Sequence, residues 1–255
     1  MTAALSPRLT AATAGRVLRQ LRHDHRTVGM LVLLPSLLLG LLHLLWAELP
    51  SVPEVPGVFD RVGLTMLGVF PFVVMFLVTS IAMLRERTSG TLERLLTTPL
   101  SRLDLLLGYG AAFGLAAAVQ ALVTVTVATT LYDLALAGPL WAVVLIAVAD
   151  AVLGVALGLL ASAFARSEFQ AVQFMPVVVL PQLFLCGLLV PREQMAGWLQ
   201  AVSDVLPLTY AVEALQEVGR SPEPTGTMWA DVGIVAGAAL LALALAAATL
   251  RRRTG

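Results

Sequence analysis

Chemistry in this chain rests on few groups. Asp150 is a lone acid in the apolar run "VVLIAVADAVLGVALGLL". A carboxyl there can carry a proton, hold part of a substrate, or serve as a hydrogen-bonded structural group. A charged Asp at the centre of a membrane costs about 2.5–3.5 kcal/mol on insertion scales. Gln120, Gln173 and Gln182 are the other polar groups in long apolar stretches, able to line a path or to bond helix to helix. An intramembrane hydrolase would need a Ser/His pair, paired carboxylates or metal ligands. The only histidines are His23, His25 and His43, and Asp150 has no second acid at a useful spacing. His43 lacks a ligand-spaced partner and reads as a packed or interfacial histidine. Cys186 is the single cysteine, which excludes an internal disulfide and a cysteine metal cluster. The sequence has no lysine, so the P-loop route to nucleotide hydrolysis is closed. Neither a catalytic residue nor a metal or cofactor is expected in this chain.

These groups are set in an apolar framework. Of 255 residues, 58% are hydrophobic and 13% charged, against about a quarter charged in soluble domains. Runs of about 18 apolar residues read as membrane spans. Six follow one another: 27–47, 62–84, 103–131, 140–165, 171–190 and 228–250. The expectation is an all-α integral membrane protein, one six-span domain over 1–255. Gly154, Gly158 and Ser162 follow Asp150 at i+4 steps, a small-residue stripe suited to close helix packing. Pro176 and Pro181 interrupt the fifth span. The first 27 or so residues are polar, whereas a secretory signal would place its apolar stretch nearer the start.

Arginine placement sets the orientation. Thirteen arginines fall on the side of the N-terminus, and Arg61, Arg192 and Arg220 fall on the other, acidic side. The arginine-rich side is then cytoplasmic and holds both termini. No basic patch is large enough to suggest nucleic acid.

Three segments outside the spans carry structure. In 7–26, Arg16, Arg19, Arg22 and Arg26 recur at helical spacing, with Val17, Leu18 and Leu21 to the side. This suits an interfacial helix whose arginines reach anionic headgroups. In 192–220, two amphipathic faces are separated by Pro207, giving two short outer helices that dip back into the leaflet. The third segment, 85–102, is "RERTSGTLERLLTTPLSR". Leu92, Leu95 and Leu96 fall on one helical face. Gly90 is an acceptable N-cap, Glu93 faces the positive end of the dipole, and Thr98–Pro99 ends the helix. A short helix over about 90–97 is therefore expected on the cytoplasmic side. Its periodicity fits a docking element and a solvated loop equally well.

The stretch Arg85–Gly110 resembles the inner-loop signature of the type-two ATP-binding-cassette exporter permeases, with the daunorubicin-resistance drug-efflux permeases as the most similar group. "PLTYAVEAL" (Pro207–Leu215) resembles that family's outer segment before the last span. The resemblance implies that Glu86, Arg87, Gly90, Thr91, Leu92, Glu93 and Arg94 form the coupling helix that docks on an ATPase. It implies a separate ATPase polypeptide in two copies, carrying ATP and Mg. It also implies a second permease, identical or homologous, across a shared cavity, and an exporter working by alternating access. The competing reading is a proton-coupled secondary transporter using Asp150, although no internal repeat is found. Few intramembrane charges point to a hydrophobic or amphipathic cargo, a drug-like molecule or lipid. Richness in Ala, Leu, Gly and Arg without Lys points to a bacterial plasma (inner) membrane.

Overall fold

The structure, a computed structural model, describes residues 6–47, 57–90 and 101–249. Among these residues the regular structure is nine α-helices and one 3-10 helix, with no strand. They are α1 (Pro7–His23), α2 (His25–Trp46), α3 (Val58–Thr88), α4 (Arg102–Thr130), α5 (Leu140–Ala161) and α6 (Glu168–Leu185), then the 3-10 turn Arg192–Gln194, α7 (Gly197–Ser203), α8 (Pro207–Arg220) and α9 (Gly226–Thr249). Six of them, α2 to α6 and α9, are long and apolar enough to cross a membrane. The expected six-span, all-α architecture is therefore present.

Local chemistry explains where the helix ends depart from the apolar boundaries. Helix α3 continues past Leu84 to Thr88, because Arg85, Glu86 and Arg87 are sound helix formers. It stops at Ser89, followed by Gly90 at φ +73°, the left-handed conformation that closes many helices. Gly90 thus terminates α3, and the helix expected over 90–97 lies almost wholly outside the described residues. The segment 7–26 is not one helix either. The Asp24 carboxylate accepts from Thr27 N (3.1 Å) and Thr27 Oγ1 (2.6 Å), caps α2, and leaves Arg26 in α2. Helix α6 starts three residues early, at Glu168, because Ser167 Oγ accepts from Gln170 N at 3.2 Å.

Helix α3 is the centre of the bundle and packs most extensively against α5. The small-residue stripe makes this contact. A Cβ on Gly154 would lie 2.4 Å from Phe72 O, and one on Gly158 would lie 2.6 Å from Phe76 O. Both positions need glycine because the α3 backbone occupies the side-chain space. The pairs 68–150, 72–154 and 76–158 advance together, so the two helices run parallel. Two apolar clusters fill the bundle. One surrounds Phe72, Phe76, Ile146 and Leu215; the other, at the opposite end, joins Val17, Met83, Leu105, Tyr109 and Ala246. Helices α2, α6 and α9 bury few of their apolar residues.

Two sequence readings of single residues hold here. His43 is packed between the rings of Phe59 and Tyr132, at 4.9 and 5.5 Å. Cys186 is buried, with its thiol donating to Leu183 O at 3.2 Å.

Replacing Gly154 by Ala forces the α3 backbone away and should cost about 1–3 kcal/mol, as overpacking does. Thermal denaturation in detergent should show a clear fall in Tm for Gly154→Ala and a much smaller one for Gly237→Ala, where no atom lies within 4 Å of the new methyl group.

Candidate functional site

Three polar groupings carry the candidate residues, and they occupy different levels of the bundle. The first is at the end where α1, the end of α3 and the start of α4 meet. Arg16 of α1 donates from Nη1 to Glu86 Oε1 (3.2 Å) and from Nη2 to the Tyr109 hydroxyl (2.6 Å). Its guanidinium carbon is 5.7 Å from the Tyr109 ring centroid. Arg16 is therefore turned into the protein and not toward headgroups, whereas Arg19 and Arg22 are exposed. Helical spacing groups the four arginines, but Thr13 and Val17 are the residues that bury α1, and they roll Arg16 inward. Arg85 holds Glu168 of α6 through Nε (2.8 Å) and Nη2 (3.1 Å). Both side chains are more than half exposed, so the pair orients more than it stabilises. Arg87 is half-buried, and its Nε and Nη2 have no hydrogen-bond partner among the described residues. Thr91, Leu92, Glu93 and Arg94, the rest of the expected coupling residues, lie outside the described residues.

Asp104 anchors this end, and sequence reasoning passed over it. Its side chain is wholly buried. Oδ1 accepts from Ser6 N (2.8 Å) and Thr10 Oγ1 (3.0 Å), while Oδ2 accepts from Ser101 N (3.1 Å) and Ser101 Oγ (2.5 Å). One carboxylate thus caps α4 and ties the start of α1 to it. Gly108, one turn on, lets α1 approach; a Cβ there would lie 2.6 Å from Thr13 Cβ. The signal was legible as Ser-x-x-Asp before an apolar run, the capping-box spacing. Nearby, the hydrogen bonds from Thr27 hold the Asp24 carboxyl below the usual carboxylate range. Its cap is therefore in place at neutral pH and is lost as pH falls through that lowered value.

The second grouping is inside the bundle. Asp150 is completely buried, and neither carboxyl oxygen has a hydrogen-bond partner among the described residues. It faces α3 at Gly68, where an added Cβ would sit 3.1 Å from Oδ2 and 3.0 Å from Leu215 Cδ1. Gln120 is also wholly buried with both amide atoms unpartnered. The other two glutamines part company with them. Gln182 donates from Nε2 to Val178 O (3.0 Å) and accepts from Leu208 N (3.3 Å), so it caps α8 and serves as structure. Gln173 is exposed on α6.

The third grouping is at the far end. Arg192 pairs with Asp204 and Glu213, and Gln200 Nε2 donates to Arg192 O at 2.9 Å. Partial burial works against the guanidinium charge, but the hydrogen bond and charge of Glu213, with the charge of Asp204, outweigh it and hold its proton more tightly than usual. A cavity of about 710 Å³ opens beside it, and all three arginines of this end, Arg61, Arg192 and Arg220, line it. Asp60 fixes its rim by accepting from Gly57 N and Ala135 N, both at 3.0 Å.

The arrangement holds no nucleophile–base pair, and no metal-binding cluster occurs among the described residues. Its features are mechanical: anchored helix ends, a close helix pair and cavities. Residues 8–218 match the family model described as ABC-2 type transporter. The chain is a member of that family, a type-two ABC permease. It is 25% identical over 165 residues to the "Probable multidrug ABC transporter permease YbhR" of Escherichia coli, covering 65% of this chain and 45% of that one. It is 28% identical over 141 residues to "ABC transporter G family member 20" of Dictyostelium discoideum, covering 55% and 19%. "Probable multidrug ABC transporter permease YbhS" of Escherichia coli is 27% identical over 143 residues, covering 56% and 38%. The chain spans less than half the length of each of these relatives. The matched region of this permease runs from α1 into α8 and reaches into each grouping described above, leaving out Ser6 and Arg220.

Asp104→Ala should free α1 while leaving the spans intact. Limited trypsin digestion reads this directly, since Arg8, Arg16, Arg19, Arg22 and Arg26 all lie in or beside α1. Cleavage before residue 27 should accelerate at least severalfold in the variant, and Asp104→Asn should fall between it and the wild type.

Proposed function

We propose that this permease is the membrane subunit of an ATP-driven exporter. It moves a hydrophobic or amphipathic molecule, drug-like or lipid, across a bacterial plasma membrane by alternating access, and a separate ATPase subunit in two copies powers it. Membership of the ABC-2 family carries this reading, together with one structural observation: Glu86, at the end of α3, is tied to α1 through Arg16 and to α4 through Tyr109 immediately before the segment that resembles a coupling helix. Glu86, Arg87, Gly90, Thr91, Leu92, Glu93 and Arg94 are the proposed coupling residues. ATP and Mg belong to the ATPase partner. Movement of a docked segment would pass into α3 as a rigid rod, because α3 is a continuous helix of 31 residues.

The cytoplasmic side is the one that holds α1, by the arginine count. A second permease, the same or homologous, completes the pathway. The sparse burial of α2 and α6 and the exposed Gln173 of α6 support a partner against these helices. The multidrug permeases among its relatives support a drug-like cargo.

The test is purification of the tagged permease in mild detergent from its native membranes. A P-loop ATPase polypeptide should come with it in equal amount, and Glu93→Arg or Arg94→Glu should release it without loss of membrane insertion. A charge-reversed variant with full ATP-driven transport would remove the coupling assignment. Asp150→Asn should keep ATP-driven transport. Loss of transport in that variant, with the fold intact, would favour the proton-coupled reading, for which the unpartnered Asp150 oxygens are the structural support.

A further inference from the structure

A groove of about 560 Å³ lies between α1, α2, α3 and α4 at the end bearing Glu86. We propose that it is a binding site for a resident lipid with a primary-amine head group, of the phosphatidylethanolamine type. The groove has one charged end and one apolar end. Asp24, Arg85 and Glu86 stand at the first; Leu34, Val74 and Val78 line the second. The lining of α3 runs twelve helical steps from Val74 to Glu86, about 18 Å at the rise of an α-helix. That is a little over half of a hydrocarbon core of about 30 Å, the depth of a single leaflet. Met30 and Leu34, exposed at the groove's edge, open it toward the uncovered apolar face of α2.

The charged end selects the head group. Glu86 Oε1 is taken by Arg16, but Oε2 is buried without a hydrogen-bond partner among the described residues. The neighbouring Tyr109 hydroxyl accepts from Arg16 and also faces the Glu86 carboxyl, and Oε2 is left without a hydrogen bond. A buried carboxylate oxygen calls for a donor. A primary ammonium supplies N–H groups and a compensating charge, whereas a quaternary ammonium supplies charge alone. Arg85, held by Glu168 through Nε and Nη2 and still well exposed, is placed for the phosphate next to that ammonium. Opposite charges on consecutive residues, at the mouth of an apolar slot one leaflet deep, match a zwitterionic head on an acyl chain.

The experiment uses the full permease in nanodiscs of equal phosphatidylethanolamine and phosphatidylcholine, followed by mild delipidation and native mass spectrometry. The wild type should retain phosphatidylethanolamine about tenfold over phosphatidylcholine, the scale of one charge-assisted hydrogen bond. Glu86→Gln, which removes the charge and turns one of the two acceptor oxygens into a donor, should bring the ratio to about one. Val78→Phe, which fills the apolar end and leaves the charges alone, should lower retention of both lipids. Should Glu86→Gln fail to fold, the mono-, di- and trimethylated ethanolamine lipids on the wild type read the same feature: retention should drop at the trimethyl step, where the last N–H is lost. Equal retention of the two lipids, or a flat methylation series, overturns the proposal. Binding of dodecylamine at the groove without any ethanolamine-lipid preference also overturns it, and gives the groove to a cationic cargo.

Discussion

The close contact between α3 and α5 organises the rest of the permease. In a bilayer, apolar side chains gain little by leaving lipid for protein, so helix association depends on packing and hydrogen bonding. Gly154 and Gly158 allow α5 to lie directly on the α3 backbone. The same device recurs outward: Gly68 seats Leu215 of α8, and Gly219 of α8 comes so near α3 that a Cβ would lie 2.3 Å from Leu64 Cδ2. Helices α3, α5 and α8 thus interlock along one line, with little slack for sliding.

The Glu86 end of α3 is fixed by polar contacts instead. Two polar anchors hold it, and they differ in kind. Asp104 joins α1 to the start of α4 through a fully buried carboxylate with four acceptor contacts, which fixes geometry. Arg16 joins α1 to the end of α3 through Glu86, in a partly exposed pair that can be rearranged more cheaply. Residues 91–100 therefore run between two helix ends that α1 already braces against each other. Bracing of this sort couples the end of α3 to the start of α4 through α1.

Much of this was legible in the sequence, for reasons that also explain what was missed. Length and apolarity mark the six spans, because the bilayer sets both. The i+4 run of Gly154, Gly158 and Ser162 marked a packing face, because no other face of α5 is small. Periodicity names a face but not its partner. Arg16 shares its spacing with Arg19 and Arg22, and only the burial of Thr13 and Val17 shows that it turns inward. Gln182 could line a path or bond helix to helix, and only the start of α8 at its amide decides for the second. Asp104 was overlooked because its Ser-x-x-Asp pattern sits inside the polar interruption, where attention falls on the motif and not on the cap that follows it. The helix boundaries drifted for a similar reason: apolarity ends at Leu84, but α3 ends only where Gly90 can turn left-handed.

Asp150 gathers these constraints at one point. It continues the glycine stripe by one turn, so α5 cannot rest on α3 without carrying this carboxyl into the contact. Gly68 makes the room, and Leu215 closes it from the side of α8. An unpartnered carboxyl is costly wherever water is excluded, and here water is excluded by the seating of α8. That seating is held by the cap from Gln182 and by the Arg192–Glu213 pair, which lines the cavity at that end. The isolation of Asp150 is therefore a property of the outer helix pair as much as of the spans. A movement that lifted α8 would therefore expose the buried acid and widen the cavity beside Arg192 together.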